Sequence, residues 1–167
     1  MRRKKRDETR APKTEGQSPS VFPEDAIRRR GKLLIVDDDL SVREIIGLFM
    51  SEKGYDCTLA ESSDRAIYYL ERERFDLVIT DLHMPIMDGA ALLEWVKLRL
   101  PTTKVMIITG DQDVALKSQV LKDGADNYLE KPFSIGHFLG EVERCLFNLR
   151  DGTESGNQSY PSNAYRF

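Results

Sequence analysis

The sequence predicts an α/β protein, a parallel sheet with helices on both faces. Two observations carry that expectation. Short unbroken apolar runs alternate with longer segments whose apolar residues recur at three- and four-residue spacing. The alternation makes five strand–helix units between residues 32 and 149, and such a series implies right-handed crossovers and a doubly wound sheet.

Each element has its own signal. Leu33–Val36 is continuous and apolar, as in a strand buried on both faces. Val42, Ile45, Ile46 and Phe49 then follow helical spacing, so a helix is expected over Ser41–Lys53. Ser41 and Glu44 fit a capping box at its start, and Gly54 fits its stop. Tyr55–Ala60 reads as a second strand, and Ala66, Ile67 and Leu70 mark a helix after Ser62. Leu77–Thr80 is a third strand. Asp88 can cap a helix running through Leu92, Leu93 and Trp95 to about Arg99, where Pro101 ends it. Trp95 is expected to pack between helix and sheet. Val105–Ile108 is a fourth strand, Val114–Lys122 a weaker helix ending at Gly124, and Asn127–Leu129 a short fifth strand. Ile135, Phe138, Leu139, Val142, Leu146 and Leu149 form the stripe of a last helix.

The flanks differ in character. Residues 1–30 are charged, carry Pro12, Pro19 and Pro23, and show no apolar period, so a disordered basic leader is expected, with room for a short helix near Glu24–Arg30. Residues 151–167 are expected to be a disordered polar tail, which leaves residues 31–150 as the folded domain. The first 32 residues carry eleven Lys and Arg against five Asp and Glu; the remainder carries fourteen against twenty-three. The leader reads as a solvated tail more readily than as a nucleic-acid arm. At 40% hydrophobic residues the chain can build a core. No run reaches the roughly 18 apolar residues of a membrane span, and no apolar segment follows the opening MRRKKR, so no secretory signal is expected. Cys57 and Cys145 form no CxxC pair and are expected to be free, buried thiols in a reducing compartment. A cytoplasmic location without membrane contact follows as an expectation. After Leu149 too few residues remain for an output domain, so the chain is expected to be a stand-alone unit or a piece of a longer protein.

The chemistry lies where the strands end. The first strand runs into Asp37-Asp38-Asp39, the third into Asp81, the fourth into Thr109 and the fifth towards Lys131-Pro132-Phe133. In a parallel sheet these ends share one edge, the edge at which such sheets bind ligands. Crowded carboxylates repel by about 4 kcal/mol per pair at 4 Å and an effective dielectric of 20. Lys131 supplies one compensating charge, and a divalent ion with a taste for oxygen, Mg²⁺, would supply more. No Cys/His set favours zinc. An aspartate in this setting can attack phosphorus and form an aspartyl phosphate.

The motifs LLIVDDD, VITDLHMPIMDG, VMIITG and GADNYLEKPF resemble, in order and each at a strand end, those of bacterial response-regulator receiver domains. That resemblance implies a flavodoxin-like sheet of order 2-1-3-4-5 with five helices, and phosphoryl transfer to Asp81 from a histidine kinase or phosphotransfer protein. It implies Mg²⁺ held by Asp38 directly, by Asp37 through water, by Asp81 and by the backbone carbonyl of His83. It assigns Lys131 and Thr109 to the phosphoryl group, makes Thr109 and Tyr128 the switch, lets Gly89 turn the loop after the third strand, and makes Lys131–Pro132 cis. The switch would turn Tyr128 inward and change the face formed by the fourth helix, fifth strand and fifth helix, where a homodimer or an unidentified effector could bind. A self-phosphorylating acceptor of this kind is not expected to be a turnover enzyme.

Plainer readings stand beside these. Singly, Asp37 could cap a helix with Asp38 and Asp39 in solvent, Thr109 could be an ordinary strand end, and Tyr128 could be half-buried packing. His83 and His137 offer no convincing ligand pair. A haloacid-dehalogenase-like phosphohydrolase is the enzymatic alternative, but its pattern places a second Asp where this chain has His83. A nucleic-acid-binding regulator acting through the basic leader is the other.

Overall fold

The computed structural model describes residues 30–147 of the chain. The expectations for the leader, for the tail and for Leu149 fall outside these residues, Arg30 apart. In order come β1 (Lys32–Val36), α1 (Leu40–Glu52), β2 (Asp56–Ala60), α2 (Ser63–Leu70), β3 (Leu77–Asp81), α3 (Gly89–Arg99), β4 (Lys104–Thr109), α4 (Val114–Lys122), β5 (Asn127–Glu130) and α5 (Ile135–Phe147). The five strands form one sheet in the order β2-β1-β3-β4-β5, and every neighbouring pair is parallel. This is the doubly wound fold the alternation predicts, and the order reverses between β1 and β3.

Strand alternation divides the core into two layers. Leu34, Val36, Val78, Val105 and Ile107 face Leu70, Leu92, Leu93, Val96 and Val120 on α2, α3 and α4, with Trp95 packed at the margin as expected. Leu33, Ile35, Leu77, Ile79, Met106 and Ile108 face Ile46 and Met50 of α1 and Phe138, Leu139 and Val142 of α5. Both faces of β1 and β3 are buried, which is why those strands read as unbroken apolar runs. Among the described residues no helix is long and apolar enough to cross a membrane.

Ser62 caps α2 and Asp88 caps α3 through Arg65 N–H and Ala91 N–H, as their positions suggest. The capping box at Ser41 does not form. Asp39 is the cap instead: its carboxylate accepts from Ser41 N and Val42 N, and α1 begins one residue earlier, at Leu40. Leu40 is exposed, so apolar spacing gives no sign of it. Gly54, with φ 88°, ends α1 in the left-handed conformation expected of a helix stop. At the start of α3 Gly89 answers a steric demand. A Cβ there would lie 2.2 Å from the carbonyl oxygen of Asp81, so only glycine lets the helix begin this close to the end of β3.

Opposite the ligand-binding edge, Asp126 ties β5 to β4. It accepts from Lys97 Nζ at 2.6 Å, Lys104 Nζ at 2.8 Å and Val105 N at 2.9 Å. Burial opposes its charge, but the bonds from Lys104, Lys97 and Val105 outweigh burial and hold the carboxyl below its ordinary range. A folded pKa below the unfolded one gives stability that is present above the unfolded value and lost as pH falls through the folded value. Asp126→Ala should therefore cost about 1–3 kcal/mol near neutral pH. The gap from wild type should shrink as the solution is acidified below the ordinary carboxylate range. Urea unfolding of both proteins at neutral and acid pH measures it; a gap that does not narrow in acid rules out this electrostatic origin.

Candidate functional site

Parallel pairing carries Asp37, Asp81, Thr109 and Lys131 to one edge of the sheet, at or just beyond the ends of β1, β3, β4 and β5. Lys131 Nζ donates to Asp81 Oδ2 at 2.6 Å and to Asp37 Oδ2 at 3.2 Å. The Asp37, Asp81 and Lys131 side chains are 5%, 13% and 20% exposed. Burial pushes the Asp37 carboxyl above its ordinary value, and Lys131 only partly counters this. Burial also disfavours the Lys131 charge, but Asp81 and Asp37 win and raise its pKa, so the ammonium stays protonated.

Local structure holds each member. The second oxygen of Asp37 accepts from Asp39 N at 2.8 Å, and Arg43 on α1 donates to the Asp37 carbonyl. The second oxygen of Asp81 accepts from His83 N at 3.0 Å. Lys131 N donates to Thr109 O at 2.7 Å, extending the β4–β5 ladder to the site. The Lys131–Pro132 peptide is cis. Phe133 is buried and stacks on Phe138 of α5, ring centroids 5.5 Å apart, which anchors the segment behind Lys131. Asp38 is exposed beside Asp37.

Thr109 is fully buried, and its hydroxyl oxygen accepts from Asp111 N at 3.1 Å. That leaves the hydroxyl proton available to another acceptor. Tyr128 is buried too, with its hydroxyl donating to the Asp111 carbonyl at 3.1 Å and Lys117 Nζ 5.2 Å from its ring centroid. The ring is already buried in this arrangement, whereas the resemblance implies that it turns inward on phosphorylation. The acceptor at Asp111 and the cation at Lys117 account for that position.

Asp111 is the residue sequence reasoning missed. Its carboxylate pairs with His83 Nε2 at 3.1 Å, its N–H binds Thr109 and its carbonyl binds Tyr128. The Asp113 N–H and then His83 hold its carboxyl below the usual range. The available signal was an Asp two residues past a strand-end Thr, a position suited to a local side-chain turn. His137 lies elsewhere, 3.3 Å from Glu141 on α5.

Among the described residues no three His, Cys, Asp or Glu side chains converge into a ready-made metal cluster. The donors on offer are all oxygen: Asp37, Asp81, the adjoining Asp38 and backbone carbonyls. That set fits Mg²⁺, which keeps several waters and takes one or two carboxylates, and does not fit zinc.

Comparison with known proteins agrees with this geometry. The model of the response regulator receiver domain matches residues 33–143. The DNA-binding transcriptional regulator NtrC of Escherichia coli (strain K12) is 33% identical over 129 residues, 77% of this chain and 28% of that protein. The response regulator protein FleR of Pseudomonas aeruginosa is 34% identical over 123 residues, 74% of this chain and 26% of that protein. The chain thus spans under a third of these relatives' length. The Francisella response regulator 1452 receiver domain superposes with a TM-score of 0.67 at 30% identity, covering 71% of this chain and 98% of that one. The chemotaxis response regulator CheY4 of Vibrio cholerae gives 0.66 at 28% identity, covering 69% and 98%. By sequence, by sheet order and by the motifs at its strand ends, this chain belongs to the response regulator receiver domain family of two-component systems.

Proposed function

We propose that the chain is a phosphoacceptor: a histidine kinase or phosphotransfer protein delivers a phosphoryl group to Asp81, and the α4-β5-α5 face changes in response. The observation that carries this reading is the Lys131 ammonium set between Asp81 and Asp37, at 2.6 and 3.2 Å, at the ligand-binding edge of the sheet.

An Asp81 carboxylate oxygen attacks phosphorus and forms a new P–O bond. The donor's P–N bond, in a phosphohistidine, or P–O bond, in an acyl phosphate, breaks, and the departing atom keeps the electron pair. The His83 N–H orients the Asp81 carboxylate through Oδ1. Lys131, protonated and against Oδ2, is positioned to hold an oxygen of the incoming group, and the free Thr109 hydroxyl proton can serve another. Asp38 directly, Asp37 through water, Asp81 and the His83 carbonyl would hold Mg²⁺, which when bound neutralises charge on phosphoryl oxygens.

The chemistry ends at the acyl phosphate and its hydrolysis, so the chain acts as an acceptor and not as a turnover enzyme. A phosphohydrolase of the haloacid-dehalogenase type would need a second carboxyl where His83 stands, and the His83 ring is engaged with Asp111. The signal leaves through Asp111. Drawing the Thr109 hydroxyl towards a phosphoryl group disturbs its bond to Asp111 N–H, and the Asp111 carbonyl is what Tyr128 holds. A groove of about 570 Å³ lined by Lys117, Leu121, Tyr128, Pro132 and Arg144 lies on the face that would respond, available to a second copy or an effector. The two free thiols, Cys145 buried as expected and Cys57 only half-buried, suit a reducing, cytoplasmic compartment.

Acetyl phosphate with Mg²⁺ should add a single phosphoryl group to the chain by intact-mass spectrometry, and Asp81→Asn should abolish it. A phosphorylated Asp81→Asn protein would move the acceptor elsewhere. Isothermal titration with Mg²⁺ should lose more binding in Asp38→Ala than in Asp37→Ala, since Asp37 is already engaged by Lys131 and Asp39 N; equal losses contradict that division. Thr109→Ala should still accept the phosphoryl group but lose most beryllofluoride-dependent association in sedimentation experiments. Full association in this variant removes Thr109 from the relay.

A further inference from the structure

The face made by α2 and α3 carries arginines that the phosphoryl site does not use. On α2, Arg65 lies 4.8 Å from the ring centroids of both Tyr68 and Tyr69. Arg72 follows Tyr68 by four residues, 3.7 Å from its ring centroid, and the guanidinium also donates to the Tyr68 carbonyl at 2.8 Å. Arg72 then borders a groove of about 570 Å³ between the ends of α2 and α3, with Arg74 and Arg99 beside it and Leu70, Trp95 and Leu100 as its apolar lining. Arg99 is stacked 5.3 Å from the Trp95 ring centroid. These contacts join the side chains into one patch. A guanidinium stacked by its face keeps the N–H donors at its edge free for a carboxylate. The glutamates of the groove are already engaged, Glu71 with Arg72 at 3.8 Å and Glu73 with Lys32. Among the described residues Arg65, Arg74 and Arg99 pair with no carboxylate.

The opposite face of the sheet offers the complement. α1 packs there through Ile46 and Met50, while α2 packs on the other side through Ala66 and Leu70. On the outer side of α1 Leu48 is 66% exposed, and Glu44 and Glu52, four residues to either side, are exposed as well. Helical spacing sets these three in one row, and the exposed Ile45 borders it. Among the described residues neither glutamate pairs with a basic group. One face thus presents stacked guanidiniums around an apolar groove, and the other an aliphatic side chain between two carboxylates.

We propose that the α2–α3 groove of one copy takes the row of Glu44, Leu48 and Glu52 from a second copy, with Leu48 entering beside Trp95 and the two carboxylates meeting Arg72 and Arg99. Charge complementarity selects this occupant. The first 32 residues carry an excess of Lys and Arg and are repelled, and residues 151–167 hold no aliphatic side chain set between carboxylates. A nucleic-acid strand, charged along its whole length, would run off the patch onto a chain whose residues 33–167 carry fourteen Lys and Arg against twenty-three Asp and Glu. Because the two surfaces lie on opposite sides of the sheet, one copy can use both, and association runs head to tail. One helical row in one groove is a small contact, so the association is weak and reversible.

Sedimentation of the full chain is the test. At low salt the mean mass should rise with protein concentration past that of a dimer, and high salt should lower it by screening the ion pairs. Leu48→Glu blocks the row, and Arg72→Glu with Arg99→Glu reverses the groove. All three positions are exposed, and circular dichroism and the thermal midpoint check that both variants fold. Arg72→Gln with Arg99→Gln, a milder change, covers the case in which charge reversal unfolds α2. Each variant alone should lose association by about tenfold or more. Mixed, they should form a dimer and stop there, since the first keeps its groove and the second keeps its row. A wild type that stays monomeric up to about 1 mM overturns the proposal, even if single-stranded DNA or a synthetic peptide of Glu and Leu binds at Arg72 and Arg99, because the patch then serves an outside partner. Association untouched by both variants overturns it too, since the contact then lies elsewhere. A mixture that stays monomeric also overturns it, because the two surfaces then do not meet each other.

Discussion

Two carboxylates at the ends of adjacent strands are the constraint to which the rest of the site answers. β1 and β3 pair in register up to Val36 and Thr80, so Asp37 and Asp81 occupy the next facing positions. Neighbouring strands lie about 4.8 Å apart. Their repulsion is of the order of 4 kcal/mol at an effective dielectric of 20, and burial pushes Asp37 further towards its neutral form. The ammonium that offsets this comes from Lys131, just past β5, two strands along the sheet from β3. Holding it there enlists the Lys131 N–H bond to Thr109 and the Phe133–Phe138 stack on α5. Charge balance at Asp81 is thus tied to four strands and a helix.

That dependence explains which parts of the chain were legible in advance. Strands buried on both faces leave unbroken apolar runs, so β1, β3 and β4 announce themselves, and parallel pairing then fixes which residues meet. Asp37, Asp81, Thr109 and Lys131 could be placed together without coordinates because each sits at a strand end. The residues that were missed depend on loop conformation or on surfaces without a period. Asp111 contacts His83, Thr109 and Tyr128 through its side chain, N–H and carbonyl respectively, and no spacing rule encodes that. Arg43 is a polar residue on an amphipathic helix until its guanidinium is seen on the Asp37 carbonyl. Asp39 displaced Ser41 as the cap of α1 because an Asp just ahead of the first turn reaches two free N–H groups.

The core decides where a phosphoryl group could have an effect. Leu33, Leu34, Val78, Leu77, Met106 and Ile107 are fully buried, and displacing such close-packed strands would open cavities on both faces at once. Movement must therefore pass through the connections at the ligand-binding edge. The connection between β4 and α4 is the one best placed, because Asp111 lies within it and joins the loop after Asp81 to both Thr109 and Tyr128.

Helix anchoring points the same way. α5 buries Phe138, Leu139, Glu141, Val142 and Cys145, and α3 buries Gly89, Leu92, Leu93 and Val96. α4 buries Val120 alone. A helix held by one buried core side chain and the half-buried Leu116 loses little packing when it shifts, since stabilisation scales with the apolar area kept from water. Its amino end is capped by Asp113, whose N–H in turn binds Asp111. A pull on Thr109 would therefore reach, through Asp111, the helix that the core holds least. Lys117 of α4 also lies over the Tyr128 ring and pairs with Glu130 at 3.1 Å, so a shift of α4 would remake the surface it shares with β5. Rigid strands, a hydrogen-bonded loop and a loosely held helix would together make α4 the element that a phosphoryl group moves most easily.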